Sequence, residues 1–191
     1  MKISIPKKTL LYTHPVFIIG SYDKEGVPNI MAASWGGICC SEPPCVSVSL
    51  RAATYSYSNI LENRAFTVNV PTAQQVNEAD YTGIYSGKNE NKFESLGLTP
   101  LKSDKVNAPY VKEFPLSMIC KVVETHDLGL HLQFIGEVIE NLVDEEYLGE
   151  NGLPDIRKIQ PFIYDSATRD YYGIGEKLIP AYSQKKKGKK G

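Results

Sequence analysis

Hydrophobic residues in this chain recur mainly with a period of two. From Cys45 to Arg51, Val46, Val48 and Leu50 fall on one face and Ser47, Ser49 and Arg51 on the other, which predicts a strand with one face in a core and the other against polar surroundings. Phe66 to Val70 repeats the pattern with Phe66, Val68 and Val70 inward. Leu116, Met118, Cys120 and Val122 alternate along another segment. Leu130, Leu132, Phe134 and Val138 follow along the next, with Asp127-Leu128-Gly129 as the turn of a hairpin. Near the start, the β-branched run Val16 to Ser21 is expected to pair with Pro28 to Ala33 across the turn Asp23-Lys24-Glu25-Gly26. Ser41-Glu42-Pro43-Pro44 must be a turn, because proline cannot donate within a strand interior.

Helical signals are few and short. Thr54 is placed to N-cap a helix over Tyr55 to Asn63. Pro71-Thr72-Ala73-Gln74-Gln75 has the Thr and Gln spacing of a capping box. The glycine-rich stretch from Tyr81 to Asp104 reads as a loop crossing the body. Short strands, polar turns and small helices predict a mainly β chain with a closed antiparallel sheet, without internal repeat or domain boundary.

Composition narrows the class. With 42% hydrophobic and 23% charged residues in 191, the chain has the makeup of one globular domain. No apolar run approaches the ~18 residues of a membrane span, and the first residues show no leader pattern, so a cytoplasmic protein without membrane contact is expected. Cys39 and Cys40 are adjacent, Cys45 and Cys120 complete no C-x-x-C pair, and all four are expected as thiols. Five of the 21 basic residues are lysines between 185 and 190. Residues 1–184 therefore carry 16 basic against 22 acidic side chains. Residues 185–191 read as a flexible lysine-rich tail appended to a domain over 1–184, and the acidic body gives no footprint for nucleic acid.

Three segments could carry chemistry. Arg51 stands at a strand end just before Ala52-Ala53-Thr54-Tyr55-Ser56, where a guanidinium and a helix N-terminus both favour an anion. A surface arginine beside a Thr-capped helix is the plain alternative. Asn29 to Gly37 holds the one tryptophan, Trp35, before two glycines that allow close backbone approach to a flat ligand; a core tryptophan fits equally. His131 lies on the strand face opposite Leu130 and Leu132 and is either a ligand or a solvent-facing residue. The chain has no G-x-S-x-G elbow, no H-x-x-x-H pair, no Walker loop and no G-x-G-x-x-G, so nucleophilic, zinc and Rossmann-type nicotinamide sites are not indicated.

Together these segments resemble the flavin reductase-like family of FMN-binding split barrels, in particular its flavoredoxin branch. The likeness runs from about residue 9 to 182. It rests on Pro28-Asn29-Ile30-Met31 leading to Ser34-Trp35, on Glu42-Pro43-Pro44-Cys45-Val46-Ser47-Val48-Ser49-Leu50-Arg51, on Ser86-Gly87 with Lys92-Phe93, on Phe134-Ile135-Gly136-Glu137-Val138 and on Tyr171-Tyr172-Gly173-Ile174-Gly175. The resemblance implies a six-stranded antiparallel Greek-key split barrel with short peripheral helices, a homodimer, and one noncovalent FMN per subunit near the interface. Carried over by position, Asn29, Trp35, Cys40, Ser56, Lys92, His131 and Tyr164 would surround the flavin, with Ser49, Arg51, Thr54 and Tyr55 near its ribityl-phosphate end. Ser56 stands where threonine is common and Tyr164 where phenylalanine is. Both keep the needed hydroxyl and aromatic face.

Three functions stay open at this point. An FMN-dependent oxidoreductase would take electrons from NADH or NADPH docking transiently against the flavin. An electron carrier would pass them between redox proteins, and a non-redox module would only bind flavin. No protein side chain is required as a catalyst, because the redox chemistry belongs to the cofactor. Cys40 is expected to pack against the flavin as a small polarizable wall. Cys39 beside it and Cys45 across the Pro43-Pro44 turn are unconvincing disulfide partners on sequence grounds.

Overall fold

The structure, a computed structural model, describes residues 1–183. The expected lysine-rich tail over 185–191 lies outside the described residues. Strands β1 (His14–Pro15), β2 (Phe17–Tyr22), β3 (Pro28–Ala33), β4 (Gly36–Ser41) and β5 (Pro44–Arg51) lead into helix α1 (Tyr55–Asn63) and β6 (Ala65–Val70). Helices α2 (Val76–Ile84) and α3 (Lys92–Leu96) follow, then β7 (Pro100–Lys102), β8 (Pro109–Val111), β9 (Leu116–Asp127) and β10 (His131–Val143). Helix α4 (Ile156–Ile159), β11 (Phe162–Asp165) and β12 (Asp170–Gly173) complete the chain.

The main sheet is antiparallel and seven-stranded, in the order β3-β2-β6-β9-β10-β5-β4. Its two edge strands, β3 and β4, are consecutive in sequence and separated only by Ser34 and Trp35. So short a link requires the sheet to curl until its edges meet, which makes it a barrel. The Ser49 N–H donates to the Trp35 carbonyl at 2.8 Å, which extends the β4–β5 ladder one pair into this link. The six-strand expectation is corrected by β4, whose Gly36-Gly37 start and paired cysteines carry no clear alternation. Its residues sit on an exposed edge with no core face to fill.

The barrel is filled by Ile19, Val46, Val48, Leu50, Phe66, Val68, Cys120, Val122 and Phe134, with Ile60 of α1 closing one end. All the expected inward positions on β5 are there, whereas Val70 is only half-buried and Leu130 is exposed. A Cβ at Gly136 would lie 2.6 Å from the Phe66 ring, so only glycine lets Phe66 reach the barrel centre. The ladder bulges at Ile135/Gly136 and again at Val138/Glu140, which breaks the simple period along β10.

A second core lies outside the barrel. Val16, just before β2, and Ile18 and Ile30 of the β2–β3 hairpin pack there with Ala79 of α2, Phe93 of α3, Val111, Phe114 and Phe162. The hairpin is therefore buried on both faces. The stretch read as a crossing loop instead supplies this cover, since α2 extends to Ile84 and α3 spans Lys92–Leu96. The expected capping box is present at Thr72 and Gln75, with the Gln75 side chain accepting from the Thr72 N–H at 2.9 Å. A three-stranded sheet, β1-β11-β12, stands beside the seam.

Candidate functional site

Two adjoining cavities open at the barrel seam, one of about 430 Å³ and one of about 190 Å³. Met31, Thr54, Gly83 and Ile84 line both, so the two form one groove. Its combined size falls within the usual range of cofactor sites, roughly 300–1,000 Å³.

The larger cavity has an aromatic wall. Trp35, which links β3 to β4, stacks on His14 with ring centroids 5.3 Å apart and planes 6° from parallel. His14 is opposite Tyr164 in the β1–β11 ladder, and the Tyr164 ring lies tilted at 6.4 Å from it. The Nε2 of His14 is 3.1 Å from the Ser166 hydroxyl, which holds the imidazole parallel to the indole. Facing this wall are Ser49, Arg51 and His131. The β5–β10 ladder sets His131 directly opposite Arg51, so both side chains and Ser49 share one face.

Helix α1 begins at the junction of the two cavities. Thr54 does not cap it through its side chain; its hydroxyl donates instead to the Arg51 carbonyl at 2.9 Å. This tightens the turn after β5 and leaves the first N–H groups of the helix without a side-chain acceptor, an arrangement that attracts anions. The Tyr55 hydroxyl donates to Asp23 Oδ2 at 2.8 Å. That hydrogen bond, then burial, pushes the phenol up to about 12, so Tyr55 remains neutral and ties α1 to the β2–β3 turn.

The smaller cavity holds Asn29, Ser56 and Lys92. Asn29 Nδ2 donates to Ser56 Oγ at 2.8 Å, while Asn29 Oδ1 is buried with no hydrogen-bond partner. A Cβ at Gly87 would run into that oxygen and into the Tyr55 ring, so this cradle is open only because residue 87 is glycine. Lys92 is 3% exposed, and its Nζ donates to the Thr82 carbonyl at 2.9 Å. Burial pulls the ammonium down to about 8. Among the described residues no carboxylate lies within ion-pair distance of it.

Ten of the eleven residues expected at a flavin site thus line one groove. Cys40 is the exception: it is exposed on β4, with its thiol 3.3 Å from the Glu42 carbonyl, and lines neither cavity. Sequence reasoning missed Asp80, Arg169 and Tyr171, which also line the larger cavity, and His14, which backs Trp35 from behind the wall. Asp80 accepts from the Tyr171 hydroxyl at 2.9 Å. The three lining residues come from α2 and the β11–β12 hairpin and His14 from β1, far apart in sequence, and no local spacing marks them.

A family model described as the flavin reductase like domain matches residues 9–170. The chain belongs to the flavin reductase-like family. Within it, the chain is similar to the solved flavoredoxin of Desulfovibrio vulgaris (Miyazaki F), with 51% identity, a TM-score of 0.91, and coverage of 96% of this chain and 98% of that one. A flavoredoxin from Methanosarcina acetivorans matches at 32% identity and a TM-score of 0.90, covering 96% of each chain. A ferric-chelate reductase (NAD(P)H) of Archaeoglobus fulgidus is 29% identical over 111 residues, 56% of this chain and 64% of that protein. The split barrel expected for this family agrees with the curled seven-stranded sheet. Among the described residues no helix is long and apolar enough to cross a membrane.

Proposed function

We propose that the seam groove binds one noncovalent FMN and that the protein is an FMN-dependent oxidoreductase. The observation that carries this reading is Lys92, a buried ammonium without a carboxylate partner, in a hydroxyl-lined pocket continuous with an aromatic cavity. A buried cation calls for an anion, and the flat wall beside it calls for a planar ring. Bound FMN supplies hydride and single-electron chemistry. The protein's part is to hold and tune it. Lys92, Arg51 and the start of α1 with Thr54, Tyr55 and Ser56 would serve the phosphate and ribityl hydroxyls. Trp35 and Tyr164 offer apolar faces, and Asn29 Oδ1, Ser49 and His131 offer hydrogen bonds. The orphaned Asn29 oxygen fits a ligand donor there.

NADH or NADPH is the electron donor in this reading, docking against the exposed side of the groove. The likeness to flavoredoxins favours a second reading, an electron carrier between redox proteins. One experiment tests both. The FMN-loaded protein is mixed anaerobically with NADH or NADPH and bleaching of the flavin absorbance is timed. Turnover with either nucleotide supports the oxidoreductase. Flavin that binds but bleaches only with a reduced protein donor supports the carrier, and failure to bind FMN overturns both.

A further inference from the structure

Three of the four cysteines sit on one hairpin, and the ladder brings two of them face to face. Cys40 of β4 is directly opposite Cys45 of β5, one pair in from Ser41 and Pro44 beside the turn. Directly opposed residues of an antiparallel ladder project to one face with Cα atoms about 4.5–5.5 Å apart. A disulfide needs about 4.4–6.8 Å. Sequence reasoning discounted Cys45 because a proline turn intervenes, but a turn that reverses the chain within two residues is what places the pair in register.

The two sulfurs are unequal. Cys40 is on the exposed edge strand, whereas Cys45 is 5% exposed between β4 and β10, with Glu137 opposite it on β10. Burial first, then the neighbouring Cys40, Cys39 and Glu137, raises the Cys45 thiol. An accessible thiol beside a sheltered one is the division of labour of an attacking and a resolving cysteine. Cys39 has no opposed residue, since the register slips between Ile38 and Cys40. Cys120 belongs to the barrel core, where burial pushes it up to about 12, and is inert.

We propose that Cys40 and Cys45 form a cross-strand dithiol that exchanges with low-molecular-weight disulfides. The Cys40 thiolate, having given its proton to solvent, attacks one sulfur of RSSR. The S–S bond breaks, RS⁻ leaves and is protonated, and a mixed disulfide remains on Cys40. Cys45 then loses its proton to solvent and attacks the Cys40 sulfur, expelling the second RS⁻, which is protonated in turn. The protein gives up two electrons: two thiols become one disulfide, and RSSR becomes two RSH. The new bond staples the hairpin whose two strands run to Trp35 and Arg51 at the groove. The chemistry lies in the hairpin alone and needs no flavin.

The test incubates the reduced full-length protein with glutathione disulfide, then counts thiols under denaturing conditions and sequences the peptide over residues 25–51 by mass spectrometry. Wild type and Cys39→Ala are each expected to lose two thiols, with that peptide two hydrogens lighter and closed between Cys40 and Cys45. Cys40→Ala, altered only at an exposed position, is expected to form no internal disulfide. Wild type that keeps all four thiols, that accumulates a glutathione adduct without closing, or whose bond uses Cys39 would overturn the proposal. Wild type and Cys39→Ala decide the matter without any substitution of the buried Cys45.

Discussion

Lys92 is the residue on which the proposed phosphate contact turns. In an unfolded chain its ammonium would titrate near 10.4, but burial brings it down to about 8 in the folded protein. A bound phosphate dianion would hold the proton on, so FMN binding above about pH 8 must draw a proton from solvent, and affinity falls as pH rises through that value. The flavin phosphate is already dianionic above about pH 7, so it adds no step of its own. Fluorescence titrations are expected to show wild-type affinity for FMN declining above that point. Lys92→Met should bind more weakly throughout and without the step. A flat wild-type profile would remove Lys92 from the phosphate site. Arg51, at the end of β5 and opposite His131, has the complementary test. Arg51→Ala is expected to weaken FMN binding by about 1.5–3 kcal/mol, the range for charge-assisted hydrogen bonds. Riboflavin, which has no phosphate, should bind both proteins alike.

Among the elements, β6 shows how a strand is held when both faces are buried. Phe66 and Val68 enter the barrel, while Thr67 and Asn69 face the outer core. Asn69 Nδ2 donates to the Ile18 carbonyl at 2.8 Å, and its Oδ1 accepts from the Val111 N–H at 3.0 Å and the Ser117 hydroxyl at 2.7 Å. One side chain thereby joins β2, β6, β8 and β9. Asn69→Leu would strand these partners without water and is expected to cost about 3 kcal/mol, read as a lower urea midpoint with an unchanged slope. The alternation of Phe66, Val68 and Val70 was legible along the chain, but this network was not. Asn69 looks like any polar strand residue until β8 and β9 arrive. The same holds for α3 and for the end of α2 beyond Tyr81, whose glycines and polar residues suggested a loop. They are helices because Ala79 and Phe93 have the outer face of the β2–β3 hairpin to cover.

At the scale of the molecule, the barrel interior is filled by Val46, Val48, Leu50, Phe66 and Val68, so a flavin must sit outside it, in the seam groove. That groove leaves apolar surface bare: Ile84, which lines both cavities, is 67% exposed and Trp35 37%. A second subunit covering it would exclude water from the ring, so the flavin-loaded protein is expected to be a homodimer. Light scattering should give twice the chain mass of 21.2 kDa; a monomer with flavin fully bound at micromolar concentration would contradict this.

The sequence by itself determined the strands whose two faces differ in polarity, such as Cys45 to Arg51, because a period of two leaves one choice of inward face. It also determined the turns, where Gly26 takes a positive φ of 79° and Glu42-Pro43 separates β4 from β5, since backbone chemistry acts locally. Local spacing and the family likeness together marked ten of the residues that line the groove. Only the tertiary structure decided what depends on distant segments meeting. It added β4 as an edge, curled the sheet because β3 and β4 are joined by two residues, and set His14 against Trp35 and Tyr164. It also left Lys92 buried without an ion-pair partner and put Cys40 across from Cys45. Each of these depends on which strands lie side by side, a choice settled by burying both cores at once rather than by any local run of residues.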